Sequence, residues 1–260
     1  MKIGLIGGGN IGKFLLKSVN LDRKLQDCRI ESVLVRQRDR ADELCSTYQT
    51  AAYDDLEAFL ASGIDLVVEA ANVDAVRRYA EKIVEQGKDL LLISVGALVD
   101  AALYQQLNEL CCQNQARVLL PSGAIGGLDV IRSAMVMNEL ESVTITTRKP
   151  PEALLGRSLT AEQVVFEGSA KEAISRFPQN INVAIVLSLA GLGSERTRVK
   201  IVADPCATRN THFIEAVGSF GRMAVKLEND PMPGNPKTSY LAALSALSTL
   251  KKQTERICIG

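Results

Sequence analysis

The first nineteen residues constrain the fold of this chain more than any other stretch. An apolar, strand-like segment at residues 3–6 is followed by Gly7, Gly9 and Gly12, which have the spacing G-x-G-x-x-G. Apolar residues then recur at helical intervals over residues 14–19. A strand, a tight turn and a helix in this order are typical of a dinucleotide-binding βαβ unit. A glycine-rich turn that binds no ligand is the alternative interpretation.

The three glycines have separate physical roles in such a turn. Gly7 permits the sharp turn, Gly9 lets the backbone approach a pyrophosphate, and Gly12 lets the helix pack closely on the strand. The phosphates would lie at the helix N-terminus, where free backbone N–H groups and the helix dipole favour negative charge. The sequence therefore predicts cofactor contacts at Gly7, Gly9, Asn10, Ile11 and Gly12.

Composition argues against several other classes of function. The 260 residues carry 30 basic and 30 acidic side chains, and no basic stretch is interleaved with aromatic residues, so we expect no nucleic-acid partner. No apolar run reaches the ~18 residues of a membrane span, and the first residues lack a signal-peptide pattern. We therefore expect a cytoplasmic protein with no membrane contact. The six cysteines lack C-x-x-C spacing and only one histidine could join them, so free thiols and no metal site are expected.

A change in the order of predicted strands and helices along the chain predicts two domains. Strands and helices alternate up to residue 121, which predicts an α/β Rossmann domain with a doubly wound parallel sheet over residues 1–121. Strand-like runs then dominate, which predicts a second, α+β domain with a mostly antiparallel sheet over residues 122–234. The tail, residues 235–260, is expected to pack back onto the first domain. Because the later strands have too few helices to cover both faces, we expect a homodimer joined through that sheet.

Two further sites at the predicted sheet edge concern the cofactor. NAD sites usually place an Asp or Glu about 20 residues beyond the glycines, but this chain has Arg36 and Arg38. Arg36 could bind a 2′-phosphate through charge-assisted hydrogen bonds, which predicts NADP or NAD as cofactor. Solvated arginines, or a role for Asp39, are the alternatives. Ala71 and Asn72 follow a strand and are expected at its carboxyl edge, where ligands bind, although Asn72 could instead cap a helix.

Several later segments carry a more specific pattern, and with them essentially the whole chain resembles the L-aspartate dehydrogenase family. The two most specific segments are Ser-Gly-Ala-Ile-Gly-Gly-Leu-Asp and Asn-Pro-Lys-Thr-Ser. The segments that carry the resemblance lie at residues 94–97, 121–129, 147–151, 177–184, 203–205, 209–212 and 235–239.

The resemblance implies NAD(P)-dependent oxidation of L-aspartate to iminoaspartate. That product is hydrolysed to oxaloacetate and ammonia or feeds NAD biosynthesis, so the partners would be small molecules. The family places an alanine and an asparagine at the nicotinamide cofactor and a histidine at the chemistry. These positions match Ala124, Asn182 and His212. The chain departs from NAD-preferring relatives at Arg36.

His212 also suits the chemistry on its own properties. It is the one histidine in the chain, and an imidazole with an ordinary pKa near ~6.5 can take a proton from an ammonium group and later activate water. Loss of that proton must precede hydride transfer, because the nitrogen has to donate its lone pair as the hydride leaves. A packed structural histidine is the alternative interpretation.

Substrate anchoring requires donors for two carboxylates, and bidentate Arg is the usual choice. The predicted substrate-binding residues flank His212 or lie in the later specific segment: Arg209, Asn210, Lys237, Thr238 and Ser239. Arg148 and Lys149 are further candidate cations. Each could instead be a solvated charge, and Thr238 and Ser239 could cap the helix that follows them.

Two other functions remain open on the residues alone. An imine reductase with dihydrodipicolinate-reductase-like architecture would be expected to show a histidine-rich catalytic segment, which a chain with one histidine does not contain. A non-catalytic NADP(H)-sensing protein would need no residue for proton transfer.

Overall fold

The computed structural model describes residues 1–35, 38–177 and 181–259, and it divides into two compact units. One unit comprises Met1–Pro121 together with Ala246–Ile259, and the other comprises Ser122–Ser245. The predicted second domain stops at residue 234, whereas the observed second unit continues to Ser245. The reason is local: β12 (Pro231–Met232) pairs with β13 (Asn235–Ser239), which ties the segment to the second unit.

The first unit contains a six-stranded parallel sheet with the order β3-β2-β1-β4-β5-β6. Its strands run along the chain as β1 Lys2–Ile6, β2 Arg29–Leu34, β3 Ala51–Tyr53, β4 Leu66–Glu69, β5 Asp89–Leu92 and β6 Val118–Leu119. The order reverses between β1 and β4, which is the switch point where ligands bind in Rossmann folds. The predicted doubly wound domain is therefore confirmed.

Helices connect these strands and cover the sheet. In chain order they are α1 Asn10–Leu16 with a π-helical turn at Lys17–Leu21, α2 Arg38–Tyr48, α3 Leu56–Leu60, α4 Val73–Glu85, a 3₁₀ turn at Val95–Val99, and α5 Ala101–Asn114. One core cluster joins Leu5, Leu15 and Val33 to Ala246 and Leu250 near the chain end. Burial of apolar surface thus holds the end of the chain on this unit, since each fully buried aliphatic side chain contributes about 1.5–3 kcal/mol.

The second unit contains a five-stranded mixed sheet with the order β11-β10-β7-β9-β8. Its strands are β7 Leu140–Lys149, β8 Gln163–Ser169, β9 Arg198–Ala203, β10 Asn210–Gly218 and β11 Gly221–Asn229. Three of the four strand pairs are antiparallel, and β7 with β9 is parallel. This agrees with the predicted α+β class.

The described helices of the second unit are α6 Leu128–Val136, α7 Pro151–Leu155, α8 Ala170–Arg176, α9 Asn182–Ala190, α10 Gly193–Arg196 and α11 Tyr240–Lys252, whose last residues belong to the first unit. The strands of the second unit have one buried and one more exposed face. On β10, Ile214 and Ala216 are buried, whereas Glu215 between them is exposed. The alternation follows from the two-residue period of a strand. None of the described helices is both long and apolar enough to cross a bilayer.

Candidate functional site

The glycine turn of the first unit has the geometry that its spacing predicts. Gly7 has φ +103°, a conformation that residues with a Cβ rarely adopt. A Cβ on Gly12 would lie 2.1 Å from the carbonyl oxygen of Gly7, so only glycine lets α1 start this close to the turn. A Cβ on Gly9 would meet nothing within 4 Å, which leaves open space over the turn.

The first turn of α1 faces that open space. Gly9 is the N-cap residue in extended conformation, no side chain caps the helix, and Lys13 N–H is the donor that reaches the Gly9 carbonyl at 2.8 Å. The N–H groups of Asn10, Ile11 and Gly12 therefore have no acceptor within the helix. Unsatisfied amides at a helix start favour a phosphate, so these residues fit the pyrophosphate of a dinucleotide.

A buried carboxylate, Glu69, organises the neighbouring strand end. It is 1% exposed and accepts hydrogen bonds from Ala71 N–H at 2.8 Å, Ser94 N–H at 3.0 Å and Ser94 Oγ at 2.9 Å. Burial raises the pKa of Glu69, and the hydrogen bonds from Ser94 and Ala71 oppose that rise. The loops after β4 and β5 are thus fastened to one side chain.

The predicted cofactor residues Ala71 and Asn72 lie in the loop after β4 and are exposed. A Cβ on Gly7 would lie 2.7 Å from the Ala70 carbonyl oxygen, so this loop adjoins the glycine turn. Asn72 caps α4, since its Oδ1 accepts from Ala75 N–H at 2.9 Å. Arg36, the predicted reader of the 2′-phosphate, lies outside the described residues.

His212 is buried in the sheet of the second unit. It lies on β10, is 2% exposed, and pairs in register with Thr147 on β7. Its Nδ1 shares a hydrogen bond of 2.9 Å with Thr147 Oγ1. Within the described part of the chain, Nε2 has no hydrogen-bond partner. When Nδ1 carries the hydrogen and donates it to Thr147, Nε2 is the basic nitrogen.

The surroundings of His212 favour the neutral imidazole. Burial, which is the larger cause, and the positive charge of Lys149 together lower the pKa of His212 to about 4. The sequence-based expectation of an ordinary pKa near neutrality is therefore wrong for the unliganded protein. A neutral ring can accept a proton without first losing one.

The loop at residues 121–127 carries Ala124 and is held from two sides. Gly123 N–H donates to Ser245 Oγ at 3.0 Å, and the Ala124 carbonyl accepts from Asn229 Nδ2 at 3.1 Å. Asn229 is buried at the end of β11 and also donates to the carbonyl of Asn210 at 3.3 Å. The loop is thereby fixed relative to the strand that carries His212.

Asn182, the second predicted nicotinamide contact, is the exposed first residue of α9. A Cβ on Gly123 would lie 3.9 Å from Val183 Cγ1, an ordinary van der Waals distance. The structure therefore brings the Ala124 loop and the start of α9 together, as two cofactor contacts would require.

The predicted substrate residues are only partly brought together. Asn210 Nδ2 donates to Ser239 Oγ at 3.1 Å, while Asn210 Oδ1 is buried and has no partner among the described residues. Thr238 Oγ1 accepts from Asn235 Nδ2 at 2.8 Å, which draws it into its own strand. The side chain of Lys237 lies outside what the structure describes.

The guanidinium group of Arg209 is already engaged by a carboxylate of the chain. Its Nε forms an ion pair with Asp230 Oδ1 at 2.7 Å, and half of its side chain is exposed. Binding a substrate carboxylate would require it to leave or share this partner.

Sequence reasoning missed the residues that hold these groups in place. Glu69, Thr147 and Asn229 act through their partners, and nothing in the positions of Glu69 and Asn229 distinguishes them from ordinary strand residues. The alternation along β7 contained one usable signal, because Thr147 and Lys149 continue a series of inward-facing residues. The described residues contain no cluster of metal-ligating side chains, and all six cysteines are free.

Comparison with known proteins gives the same division of the chain. Residues 7–121 match the family described as homoserine dehydrogenase, NAD binding domain, and residues 129–253 match aspartate dehydrogenase, C-terminal. L-aspartate dehydrogenase of Methanosarcina barkeri is 41% identical over 273 aligned residues, covering 100% of this chain and 99% of that protein. The chain belongs to the aspartate dehydrogenase family.

Other members of the aspartate dehydrogenase family agree. The protein named L-aspartate dehydrogenase in Nitrosopumilus maritimus is 50% identical over 200 residues, 73% of each chain. The crystal structure of aspartate dehydrogenase from Thermotoga maritima matches with a TM-score of 0.82 at 33% identity, covering 100% of this chain and 99% of that one. The expected resemblance is confirmed, and membership in this family makes the chain an oxidoreductase with a pyridine-nucleotide cofactor.

Scyllo-inositol dehydrogenase from Lactobacillus casei shares the fold more distantly. Its TM-score is 0.61 at 14% identity, with 96% of this chain and 86% of that chain covered. At that identity the likeness concerns the fold alone.

Proposed function

We propose that the protein catalyses NAD(P)-dependent dehydrogenation of L-aspartate to iminoaspartate. The observation that carries the proposal is the buried imidazole of His212, whose Nε2 has no partner among the described residues. Two residues away on β10 lies the buried Oδ1 of Asn210, which likewise has no partner in the described part of the chain. Buried polar atoms without partners are costly, so such an arrangement favours a polar ligand that completes it.

His212 would receive a proton from the substrate ammonium at Nε2, with Nδ1–H held on Thr147 Oγ1. The amine lone pair can then form the C=N bond as the hydride leaves Cα. The bound dinucleotide supplies the acceptor for that hydride. Once the ring is protonated, His212 can return its proton when water adds to the imine, which releases oxaloacetate and ammonia.

Asn210 would orient the amine. Its Nδ2 is engaged by Ser239 Oγ, and Oδ1 offers only an acceptor. A carboxylate also offers only acceptors, so this oxygen fits an N–H group of the substrate ammonium. Ser239 would act by fixing the amide in that orientation.

The glycine turn and the first turn of α1 suit the pyrophosphate, and the segments of Ala124 and Asn182 suit the nicotinamide end. We also infer from Arg36 that NADP is used at least as well as NAD. A role in NAD biosynthesis is consistent with iminoaspartate as product.

We further propose a cytoplasmic homodimer that associates through the sheet of the second unit. One sheet face carries half-buried or exposed side chains such as Thr144, Thr146 and Glu215, next to the half-buried Phe213. A partner sheet could cover this face. A monomeric mass by light scattering at micromolar concentration would contradict the dimer.

The proposed reaction is tested with purified protein, oxaloacetate, ammonia and either reduced dinucleotide. We expect loss of the reduced-nicotinamide absorbance only when both oxaloacetate and ammonia are present, with L-aspartate as product. Binding of the reduced dinucleotide without any turnover would instead indicate a sensor.

A further inference from the structure

His212 has two unlike neighbours across the strands of the five-stranded sheet. Thr147 on β7 and Leu227 on β11 both pair with it in register. Leu227 has no polar side-chain atom, so the hydroxyl of Thr147 is the polar group directly across from the ring. Thr147 and His212 are 6% and 2% exposed, and Thr147 Oγ1 lies 2.9 Å from His212 Nδ1. This hydrogen bond therefore lies in the protein interior, where such a bond is stronger than in water.

The hydrogen bond fixes which way the ring of His212 faces. A half-turn about the Cβ–Cγ bond would exchange Nδ1 with the carbon Cδ2, and a C–H group would then meet the Thr147 hydroxyl. That hydroxyl would lose the one hydrogen-bond partner it has among the described residues. Because a buried polar group without a partner costs free energy, the observed orientation is favoured, and Nε2 points away from Thr147.

The direction of the hydrogen bond decides which ring nitrogen is basic. If the Thr147 hydroxyl donates to Nδ1, the hydrogen of the neutral ring is on Nε2, and Nε2 cannot take up a proton. If the hydroxyl accepts from Nδ1–H, Nε2 carries a lone pair. The protonated ring has an N–H group at both nitrogens, so in that state the hydroxyl has to accept. An accepting hydroxyl thus keeps the same hydrogen bond before and after a proton arrives at Nε2.

We propose that Thr147 is a positioning residue that holds His212 as the Nδ1–H tautomer and thereby makes Nε2 the nitrogen that accepts the substrate proton. This inference rests on the proposed function, in which His212 is the base. A hydroxyl suits the role because it carries no charge. It fixes the tautomer without drawing a proton onto the ring, whereas a carboxylate in the same place would stabilise the protonated ring. In this role Thr147 acts only through the ring.

Thr147→Val tests the role, because valine has nearly the shape of threonine and lacks the hydroxyl. We expect kcat for L-aspartate to fall about ten- to hundredfold, the worth of a hydrogen bond from a charged ring, while KM changes less. Thr147→Ser keeps a hydroxyl and should recover most of the loss. Thr211→Val is the matched control, because Thr211 precedes His212 on β10 and so faces the other side of the sheet. It should keep the wild-type kcat.

The tautomer can be observed directly, because His212 is the one histidine in the chain. Untagged protein labelled with ¹⁵N-histidine gives the NMR signals of this ring alone. At neutral pH the ring is neutral, since its pKa is about 4. A two-bond ¹H–¹⁵N correlation spectrum of the wild type should then show the hydrogen on Nδ1 and the lone pair on Nε2. In Thr147→Val the hydrogen should move at least in part to Nε2, whereas loss of a threonine that serves packing alone would leave the tautomer unchanged.

Two results would overturn the assignment: a folded Thr147→Val enzyme with the wild-type kcat, or a wild-type ring with its hydrogen on Nε2. If the wild-type enzyme turns over L-aspartate, either result refutes the role of Thr147 and leaves the reaction standing. If the wild-type enzyme does not turn over L-aspartate, the proposed function fails, and the spectra still decide whether Thr147 holds the Nδ1–H tautomer.

Discussion

Two buried ionisable side chains, one in each unit, differ in how their hydrogen-bonding capacity is met. Glu69 at the end of β4 accepts from three donors, the N–H groups of Ala71 and Ser94 and the Ser94 hydroxyl. Among the residues that the structure describes, His212 on β10 has one hydrogen-bond partner, the hydroxyl of Thr147. In the first region, around Glu69, the chain itself meets the hydrogen-bonding capacity of the carboxylate. In the second, around His212, Nε2 has no partner in the described part of the chain.

This difference indicates that the polar groups around Glu69 hold the backbone in place, whereas those around His212 are available for a reaction. Glu69 fixes two loops beside the glycine turn, so the polar atoms there serve backbone geometry. Two residues from His212 on β10, the buried Oδ1 of Asn210 has no partner among the described residues, which leaves an acceptor for a ligand. Substitutions in the second region should therefore alter turnover, and substitutions in the first should alter dinucleotide binding.

The largest expected effect follows from His212→Asn. General acid–base catalysis typically contributes about 10²–10⁴-fold, so kcat should fall by that order. Dinucleotide affinity should change little, because the glycine turn is untouched. Steady-state kinetics and a fluorescence titration of the reduced dinucleotide measure the two quantities.

Two outcomes for His212→Asn would contradict the assignment of chemistry to the region around His212 and of dinucleotide binding to the region around Glu69. A kcat near the wild-type value would show that His212 takes no part in proton transfer. Lost dinucleotide binding with normal folding would show that the region around His212 serves binding as well as chemistry.

Arg36→Asp addresses cofactor choice. A charge-assisted hydrogen bond to the 2′-phosphate is worth about 1.5–3 kcal/mol, so the preference for NADP over NAD should fall about ten- to hundredfold. The value of kcat with saturating NAD should stay near that of the wild type. An unchanged ratio of NADP to NAD affinities would show that Arg36 does not read the ribose.

The change in unfolding free energy at acid pH tests whether the His212 imidazole is buried in its neutral form. The pKa of His212 falls from 6.5 to about 4 on folding, so its contribution is present above pH 6.5 and is lost as pH falls toward 4. The loss amounts to about 2 kcal/mol between pH 7 and pH 5. Glu69 has the opposite sign, because its raised pKa favours the folded state at low pH.

Urea denaturation of the wild type and His212→Asn at both pH values separates these two contributions. The variant should lose about 2 kcal/mol less stability than the wild type on going from pH 7 to pH 5. Equal losses in the two proteins would mean that His212 is not buried in its neutral form.

The fold was largely predictable because its signals are local. The glycine spacing and the helical repeat after it specify the start of a Rossmann unit, and alternating strands and helices imply a parallel sheet. The second sheet could be recognised as strand-rich from runs such as residues 143–147. Its order β11-β10-β7-β9-β8 could not, because strand pairing depends on contacts distant in sequence.

The site was predictable only where a residue type is rare or its spacing is specific. His212 stood out as the one histidine, and Gly7, Gly9 and Gly12 by their spacing. Glu69 could not be found in this way, because a carboxylate at a strand end is commonplace and its hydrogen bonds from Ser94 join residues distant in sequence. The pKa of His212 likewise depends on tertiary burial, which no local pattern reports.

The smallest expected effect, and the sharpest control, comes from two glycines of one turn. Gly12→Ala places a Cβ 2.1 Å from the Gly7 carbonyl oxygen, a backbone atom that can yield only if α1 moves. Overpacking of this kind costs about 1–3 kcal/mol, so the free energy of unfolding should fall by that amount.

In Gly9→Ala the added Cβ meets nothing within 4 Å, so the variant should leave the stability of the ligand-free protein within ~0.5 kcal/mol of wild type. Its methyl group projects into the space proposed for the pyrophosphate, so dinucleotide affinity should still fall. Chemical denaturation and dinucleotide titration of both variants distinguish the roles, and a Gly9→Ala protein with full affinity would place the phosphates elsewhere.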